Sequence, residues 1–519
     1  MLSDSILGKI NTCWEQSACY RLCAAVLLFF SRAWSGSVLR KLLFLLAGLA
    51  RRTEDSVLRR GLGRLSAAVL SAVRALEDKL APARRNSAFV SAASGSFLSK
   101  PGRITGMIFL VMFCVPHSAW RNWYALAISV VLFAAVVFLS AAGKRPIVSL
   151  RDLGLPIVVF AVACLISLLC SEAVRDSLRV LAFFAAAFMF MWAASAGIGD
   201  RAALKEVLAW IYAAVMIVSL LGIAQKIAGV AVNASQTDLA LNPGLGRICS
   251  SLENPNNLAE FLVMFSPLCA VFASSARASG RRLALAVGLA LPIAALLLTY
   301  SRSGWLSAAL TIILFVYFTK RSILPLLLVL GLLAIPFLPS GVLLRLSNMF
   351  NPADTSADYR IRIWETSLRL LADQRRFLTG IGPGTATLAA QIDLFADEYV
   401  LSGIVHSQML YLELVMEFGI VGAVSALLSF AVPTVRAAFV IKRLGTERLE
   451  TRALAACAAS VFGMALFGLF EYIWFYPRIL FGSFLLLGIL RAVTRIAEKG
   501  SSGEKRAAEA GQHMSEAGQ

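Results

Sequence analysis

Residues Ile323–Leu338 read ILPLLLVLGLLAIPFL, and Ile157–Leu169 read IVVFAVACLISLL, both without a charged side chain. In a membrane barrel, apolar and polar residues alternate in short strands, so runs this continuous point to helices, which satisfy their own backbone inside lipid. A helix needs about 17–20 apolar residues to span the hydrocarbon, and such runs recur from Ile104 nearly to the C-terminus. Composition agrees. The 519 residues are 59% hydrophobic and 15% charged, with mean hydropathy +0.76, which is more apolar surface than soluble domains bury. The expected fold is an all-α polytopic membrane protein with about 12 transmembrane helices. The spans are placed near 104–118, 123–142, 153–171, 178–198, 207–229, 257–275, 283–300, 304–319, 322–340, 412–435, 452–470 and 474–494.

Basic residues set the orientation, because short cytoplasmic loops keep Lys and Arg. With both termini inside, Lys144, Arg145, Arg151, Arg201, Lys205, Arg277, Arg281, Arg282, Lys320, Arg321 and the stretch 436–452 become cytoplasmic. The opposite side then carries mainly Arg121, Arg175, Lys226, Arg247, Arg302 and Arg478. Residues 341–411 form the one large extracytoplasmic loop, and its length exempts it from the charge rule.

The chain divides into a segment 1–103, a transmembrane domain 104–495 and a tail 496–519. Segment 1–103 holds 16 Lys and Arg against 6 Asp and Glu, a net +10 of the chain's +19. Its apolar runs are short and bracketed by arginines. Leu58, Leu62, Leu65, Val69, Val73, Leu76 and Leu80 recur at helical spacing beside Arg59, Arg60 and Arg64. A basic amphipathic segment on an anionic cytoplasmic leaflet fits this pattern. Nucleic-acid binding would bring aromatic interleaving and known motifs, which are missing. The Gly-, Ala-, Ser-, Glu- and Lys-rich tail reads as disordered.

Several chemistries lose support. Among nine cysteines only Cys249 falls clearly outside, so no external disulfide framework is implied. His117, His406 and His513 lie far apart and form no metal-ligand motif, so no metal or cofactor is expected. There is no Walker loop, no G-x-G-x-x-G after a strand and no G-x-S-x-G.

Four polar constellations remain on the external side. RICSSLENPNN (Arg247–Asn257) precedes a span; its Asn254-Pro255-Asn256 starts a helix, either as a plain cap or as an N-terminus that holds an anion. YSRSGW (Tyr300–Trp305) is squeezed between two spans. Arg302 there either snorkels to the headgroups or serves a ligand. In the large loop, DYRIRIW (Asp358–Trp364) leads to GIGPG (Gly380–Gly384). Ile361, Trp364, Leu368 and Leu371 share a stripe, and Thr355–Asp358 resembles a capping box, so an interfacial helix is expected with arginines facing polar space. Those arginines suit either phosphate or lipid headgroups. The fourth is HSQMLYLELVMEFG (His406–Gly419), where His406, Leu410, Glu413 and Glu417 would stack along one side of a helix. An imidazole and two carboxylates facing a membrane bundle are presumed functional, although a lone histidine at a helix start is commonly structural.

In this order and topology the four segments resemble the O-antigen ligase and polymerase superfamily, by motif over roughly residues 230–435 and by helix layout over 104–495. The resemblance implies a membrane glycosyltransferase of the bacterial plasma membrane. It would move a glycan from undecaprenyl or another polyprenyl diphosphate to an acceptor hydroxyl on the extracytoplasmic face, without a metal. It implies that His406, Arg302 and Arg360 are essential; Arg360 has the more typical spacing before Trp364 than its neighbour Arg362. The chemistry is consistent with this. The hydroxyl must lose a proton, which His406 can take near neutral pH, while charge grows on the diphosphate, which Arg302, Arg360 and Arg247 can stabilise. Glu413 or Glu417 would orient His406, with Asn254 in a supporting place. The acceptor, whether growing glycan, lipid or protein, stays open. A transporter or flippase of lipid-linked sugars is the alternative, although it would bring internal repeats that are not evident. The long basic N-terminal segment departs from the family's pattern.

Overall fold

The computed structural model describes residues 100–142, 154–229, 246–347, 355–384 and 406–516, together with isolated positions before residue 100. The basic amphipathic segment expected before Arg103 therefore lies almost wholly outside the described residues, as do 385–405 of the large loop.

The described residues are helical, without strands. In chain order the helices are α1 (Pro101–Cys114), α2 (Asn122–Ala142), α3 (Leu155–Leu169), α4 (Val174–Gly197), α5 (Arg201–Ile227) and α6 (Pro255–Ser274). There follow α7 (Ser279–Gly288), α8 (Ala290–Leu298), α9 (Arg302–Lys320), α10 (Leu324–Ala334), α11 (Ser340–Ser347), α12 (Thr355–Asp373), α13 (Leu410–Leu444), α14 (Leu449–Phe467) and α15 (Pro477–Glu516). Eight helical stretches among the described residues are long and apolar enough to cross a membrane. Three further expected spans are shorter apolar helices, in Pro101–Cys114, Asn122–Val137 and Leu155–Leu169. The two expected between 304 and 340 fall in one stretch, Arg302–Phe337, with a 3-10 turn at Arg321–Ile323.

Helices α6, α14 and α15 form the centre, and α4, α5, α9 and α13 pack around them. The apolar windows of α6 and α15 are each 83% buried, whereas Ser279–Leu298 is 11% buried, so α7 and α8 present their side chains outward. Phenylalanines fill the core where α1 meets α6: Phe109, Phe113, Phe261 and Phe265 form one cluster of rings. Ala453, Ala455, Ala456, Ala458, Ala459, Ser460 and Gly463 are buried on α14, and such small residues let neighbouring helices approach closely, so that packing replaces the hydrophobic drive that lipid does not supply.

Helix α15 runs on to Glu516, where the sequence reading expects a disordered tail after Arg495. Ala, Glu, Lys and Arg in that stretch are strong helix formers that extend an established helix without a new nucleus.

The large loop is anchored at an interruption in α13. Gly419 has φ 69° and breaks that helix. The break leaves Met416 C=O and Ile420 N–H without intrahelical partners. Ile381 N–H donates to Met416 O at 2.7 Å, and Ile420 N–H donates to Phe377 O at 2.7 Å. A Cβ on Gly419 would overlap Leu378 O, and one on Gly380 would stand 2.5 Å from Glu417 O, so the two backbones touch only because both positions are glycine. Beyond them, Ser177 Oγ donates to Pro383 O at 2.6 Å and fixes the next turn of the loop to α4. GIGPG thus approaches protein backbone.

Helix α12 begins at Thr355, as expected, but its packing face differs from the predicted stripe. Ile363, Leu370 and Leu371 are buried with Ile381 and Met416, and Trp364 packs on them, whereas Ile361 and Leu368 are exposed. The helix carries apolar residues on two adjoining faces, and α13 takes the one that completes its own surface.

Candidate functional site

Helix α13 starts at Leu410, so His406–Met409 precede it, and this corrects the expectation that His406, Glu413 and Glu417 stack on one helical face. The chain turns at Gln408, with φ 54°, and Gln408 N–H donates to His406 Nδ1 at 3.1 Å. Ser407 N–H donates to Glu413 Oε2 at 2.5 Å. Glu413 therefore reaches back to hold an amide left over before the helix, the role of a capping carboxylate. Glu417 accepts from Gly384 N–H at 3.2 Å and from Tyr472 O–H at 2.6 Å. Both glutamates fix the chain on either side of His406, and neither hydrogen-bonds its ring.

The imidazole is buried against Phe475, at 4.7 Å between ring centroids, and Tyr472, at 5.8 Å. Burial pushes the His406 pKa below its usual value, and the Glu471 carboxylate partly opposes this, so the neutral ring is favoured. Glu471 lies in the short turn between α14 and α15 that also carries Tyr472 and Phe475. Its Oε2 accepts from Asn256 Nδ2 at 2.8 Å. Asn256 Oδ1 accepts from Arg247 Nη2 at 3.0 Å, and Arg247 Nε donates to Thr299 O at 2.8 Å. Two residues later Ser301 caps α9 by accepting from Gly304 N–H at 3.2 Å, and Arg302 is the first residue of that helix, half-buried.

On the other flank Arg360 Nε donates to Gln408 Oε1 at 3.3 Å, and Trp364 Nε1 donates to Ser407 O at 3.0 Å. A continuous path of contacts thus runs from Arg360 through Gln408, His406, the Tyr472–Phe475 turn, Glu471, Asn256 and Arg247 to Thr299, beside Arg302. Segments far apart in sequence meet at one end of the bundle.

The candidate residues divide as follows. His406 and Arg360 adjoin through Gln408, whereas Arg362 is exposed on α12. Arg247 joins the α6 entry to Thr299. Asn254 is the cap of α6, accepting from Asn257 N–H at 2.9 Å, which is the plainer of its two readings. Gln408 and Asn256 lie inside segments that the sequence marked but were given no role of their own, and Glu471 lies outside all four constellations. Glu471 carried a usable signal, a lone carboxylate in a turn of a few residues between two apolar spans.

The same end of the bundle holds a buried ion pair. Arg478, fully buried, donates through Nε to Glu253 Oε1 at 3.4 Å and through Nη1 to Val115 O at 2.9 Å, and its guanidinium lies 4.9 Å from the Trp120 ring centroid. His117 Nδ1 lies 3.5 Å from the same glutamate oxygen. These contacts tie the α1–α2 connection, the RICSSLENPNN segment and the start of α15 together, behind the Asn256–Glu471 contact.

Among models of known families, the one described as O-Antigen ligase matches residues 287–427. The matched segment contains Arg302, Arg360, Arg362, His406, Glu413 and Glu417, and so carries three of the four constellations. Arg247, Asn256 and Glu471 lie outside it. Among curated proteins no match is found.

Proposed function

We propose, from the O-antigen ligase match and from the contacts that join its residues to the rest of the bundle, that this protein transfers a glycan from a polyprenyl diphosphate to an acceptor hydroxyl. The reaction takes place on the extracytoplasmic side and without a metal. The observation that carries this reading is the contact path itself. It sets an imidazole, a carboxylate and guanidinium groups at one end of a membrane bundle, where a diphosphate headgroup can arrive while its lipid tail stays in the bilayer.

The chemistry needs two things. Negative charge that develops on the leaving diphosphate must meet preorganised donors, and arginine's planar fork matches phosphate oxygens. Arg302 and Arg360 are assigned that work, with Arg247 and Arg362 as further cations at the rim. The hydroxyl's proton must also find an acceptor, and His406 and Glu471 are the groups beside it. In this reading the exposed Ile361, Leu368, Phe377 and Leu378 of the loop face the outer leaflet, which keeps the loop at headgroup depth. The acceptor class decides between ligase, polymerase and protein glycosylation, and all three share this site.

The test is reconstitution of purified protein with a polyprenyl-diphosphate glycan and candidate acceptors, without nucleotide and with EDTA present. A glycosidic product identified by mass spectrometry is expected. Movement of the donor between leaflets without bond formation would identify a flippase instead, and activity that vanishes with EDTA and returns with a divalent ion would overturn the arginine-based account.

A further inference from the structure

His406 Nδ1 accepts from the Gln408 N–H at 3.1 Å, which occupies the lone pair on that nitrogen. A neutral imidazole has one donor and one acceptor nitrogen, so its proton sits on Nε2. Nε2 has no hydrogen-bond partner among the described residues. As held here, the second ring nitrogen of His406 is a hydrogen-bond donor and not an acceptor. To serve as a base, the ring would have to give up the Gln408 contact, and Arg360 braces that contact by donating to the Gln408 side chain.

Glu471 has the complementary arrangement. Its Oε2 is fixed by Asn256 Nδ2 at 2.8 Å, and Asn256 is fixed in turn by Arg247. Its Oε1 has no hydrogen-bond partner among the described residues, and the side chain is half-buried. Asn256 and Arg247 thus hold this carboxylate in place, and the Tyr472 and Phe475 rings of the same turn pack on His406. Charged or titratable groups near it are His406, Arg247, Tyr476 and, one turn deeper on α6, the buried Glu260.

We propose that Glu471 takes the proton of the acceptor hydroxyl, while His406 keeps its proton and hydrogen-bonds the departing diphosphate through Nε2–H. This rests on the glycan-transfer reading. The acceptor oxygen bonds to the anomeric carbon as the bond from that carbon to the phosphate oxygen breaks. The electron pair of the broken bond stays on the diphosphate, and the hydroxyl proton passes to Glu471 Oε1. Asn256 and Gln408 are then positioning residues.

The test uses the full-length protein in nanodiscs with a polyprenyl-diphosphate glycan and a working acceptor. Donor binding and single-turnover transfer are followed across pH for the wild type, His406→Gln, His406→Ala, Glu471→Gln and Glu471→Asp. Glutamine can present an amide N–H where Nε2–H stood but cannot act as a base. His406→Gln should therefore retain transfer at about a tenth of wild type, with the acid limb of its pH profile intact, and should exceed His406→Ala by at least about tenfold. Glu471→Gln should bind donor as the wild type does yet transfer roughly 10²–10⁴-fold more slowly, with partial recovery in Glu471→Asp. His406→Gln as inactive as His406→Ala, beside near-normal transfer by Glu471→Gln, would overturn the assignment and return the base role to His406. If Glu471→Gln fails to insert, Glu471→Asp decides: full activity with an unchanged pH profile overturns the proposal. A wild type that binds donor but forms no glycosidic bond overturns the functional reading beneath it, which is a separate failure.

Discussion

Replacing Gly419 with alanine should detach the large loop from the bundle and, with it, disorder the segment that carries His406. Gly419 sits at φ 69° and ψ 174°, a region essentially reserved for glycine, where an L side chain costs about 1–3 kcal/mol. The added Cβ would also overlap Leu378 O, so the loop backbone must withdraw. Withdrawal breaks the bonds from Ile381 N–H to Met416 O and from Ile420 N–H to Phe377 O. Each leaves buried polar groups unpaired at about 1–3 kcal/mol, and the whole comes to at least about 3 kcal/mol. If α13 instead straightens, the same two bonds are lost by another route. The assay is thermal unfolding in detergent together with amide exchange at Ile381 and Ile420. Gly331→Ala serves as the control, because a Cβ there meets nothing within 4 Å. Gly419→Ala should unfold at lower temperature and exchange faster at both amides, whereas Gly331→Ala should not. Unchanged protection at Ile381 in Gly419→Ala would refute the idea that the helix break anchors the loop.

Four further outcomes follow from the same structure. Arg360→Ala should weaken donor binding or slow turnover, and Arg360→Lys should recover little, because an ammonium lacks the fork that reaches both Gln408 and phosphate; unchanged binding and transfer in both would make Arg360 a lipid-headgroup contact. The lowered pKa of His406 has a definite sign: its contribution to stability is complete above the unfolded value of about 6.5 and is lost as pH falls through the depressed folded value. Melting curves from pH 7.5 to 4.5 should therefore decline more for wild type than for His406→Gln, and parallel curves would contradict the burial argument. Glu253→Gln should destabilise by about 3–5 kcal/mol by stranding the buried Arg478, with part regained in Glu253→Gln/Arg478→Met, and a neutral single variant would show the pair is not desolvated. Cysteine placed at Ala390 should be labelled from outside intact cells, and labelling only after the inner face is opened would invert the proposed topology.

The amino-acid sequence by itself determined that this is a helical membrane protein. Long uncharged runs have one way to satisfy their backbone in lipid, and that constraint is local to each run. Sequence also placed the four polar constellations at the ends of spans, where Arg302, Arg360 and His406 stand out because charged and titratable groups are costly in an apolar chain. Tertiary structure decided what those residues touch. The expected helical stack of His406 with Glu413 and Glu417 failed because a turn at Gln408 and a carboxylate reaching back to Ser407 ended the helix at Leu410. The buried face of α12 was ambiguous for a related reason: periodicity marks apolar stripes, but the partner surface on α13 chooses between them. GIGPG read only as a turn, since nothing in its letters says that a break at Gly419 waits to accept its hydrogen bonds. Glu471 and Asn256 meet across 215 positions of chain, and no local pattern links them. Burial, charge and hydrogen-bonding capacity are properties of single residues and can be read in order, whereas the pairing that gives Glu471 and His406 their directions exists only once the helices are packed.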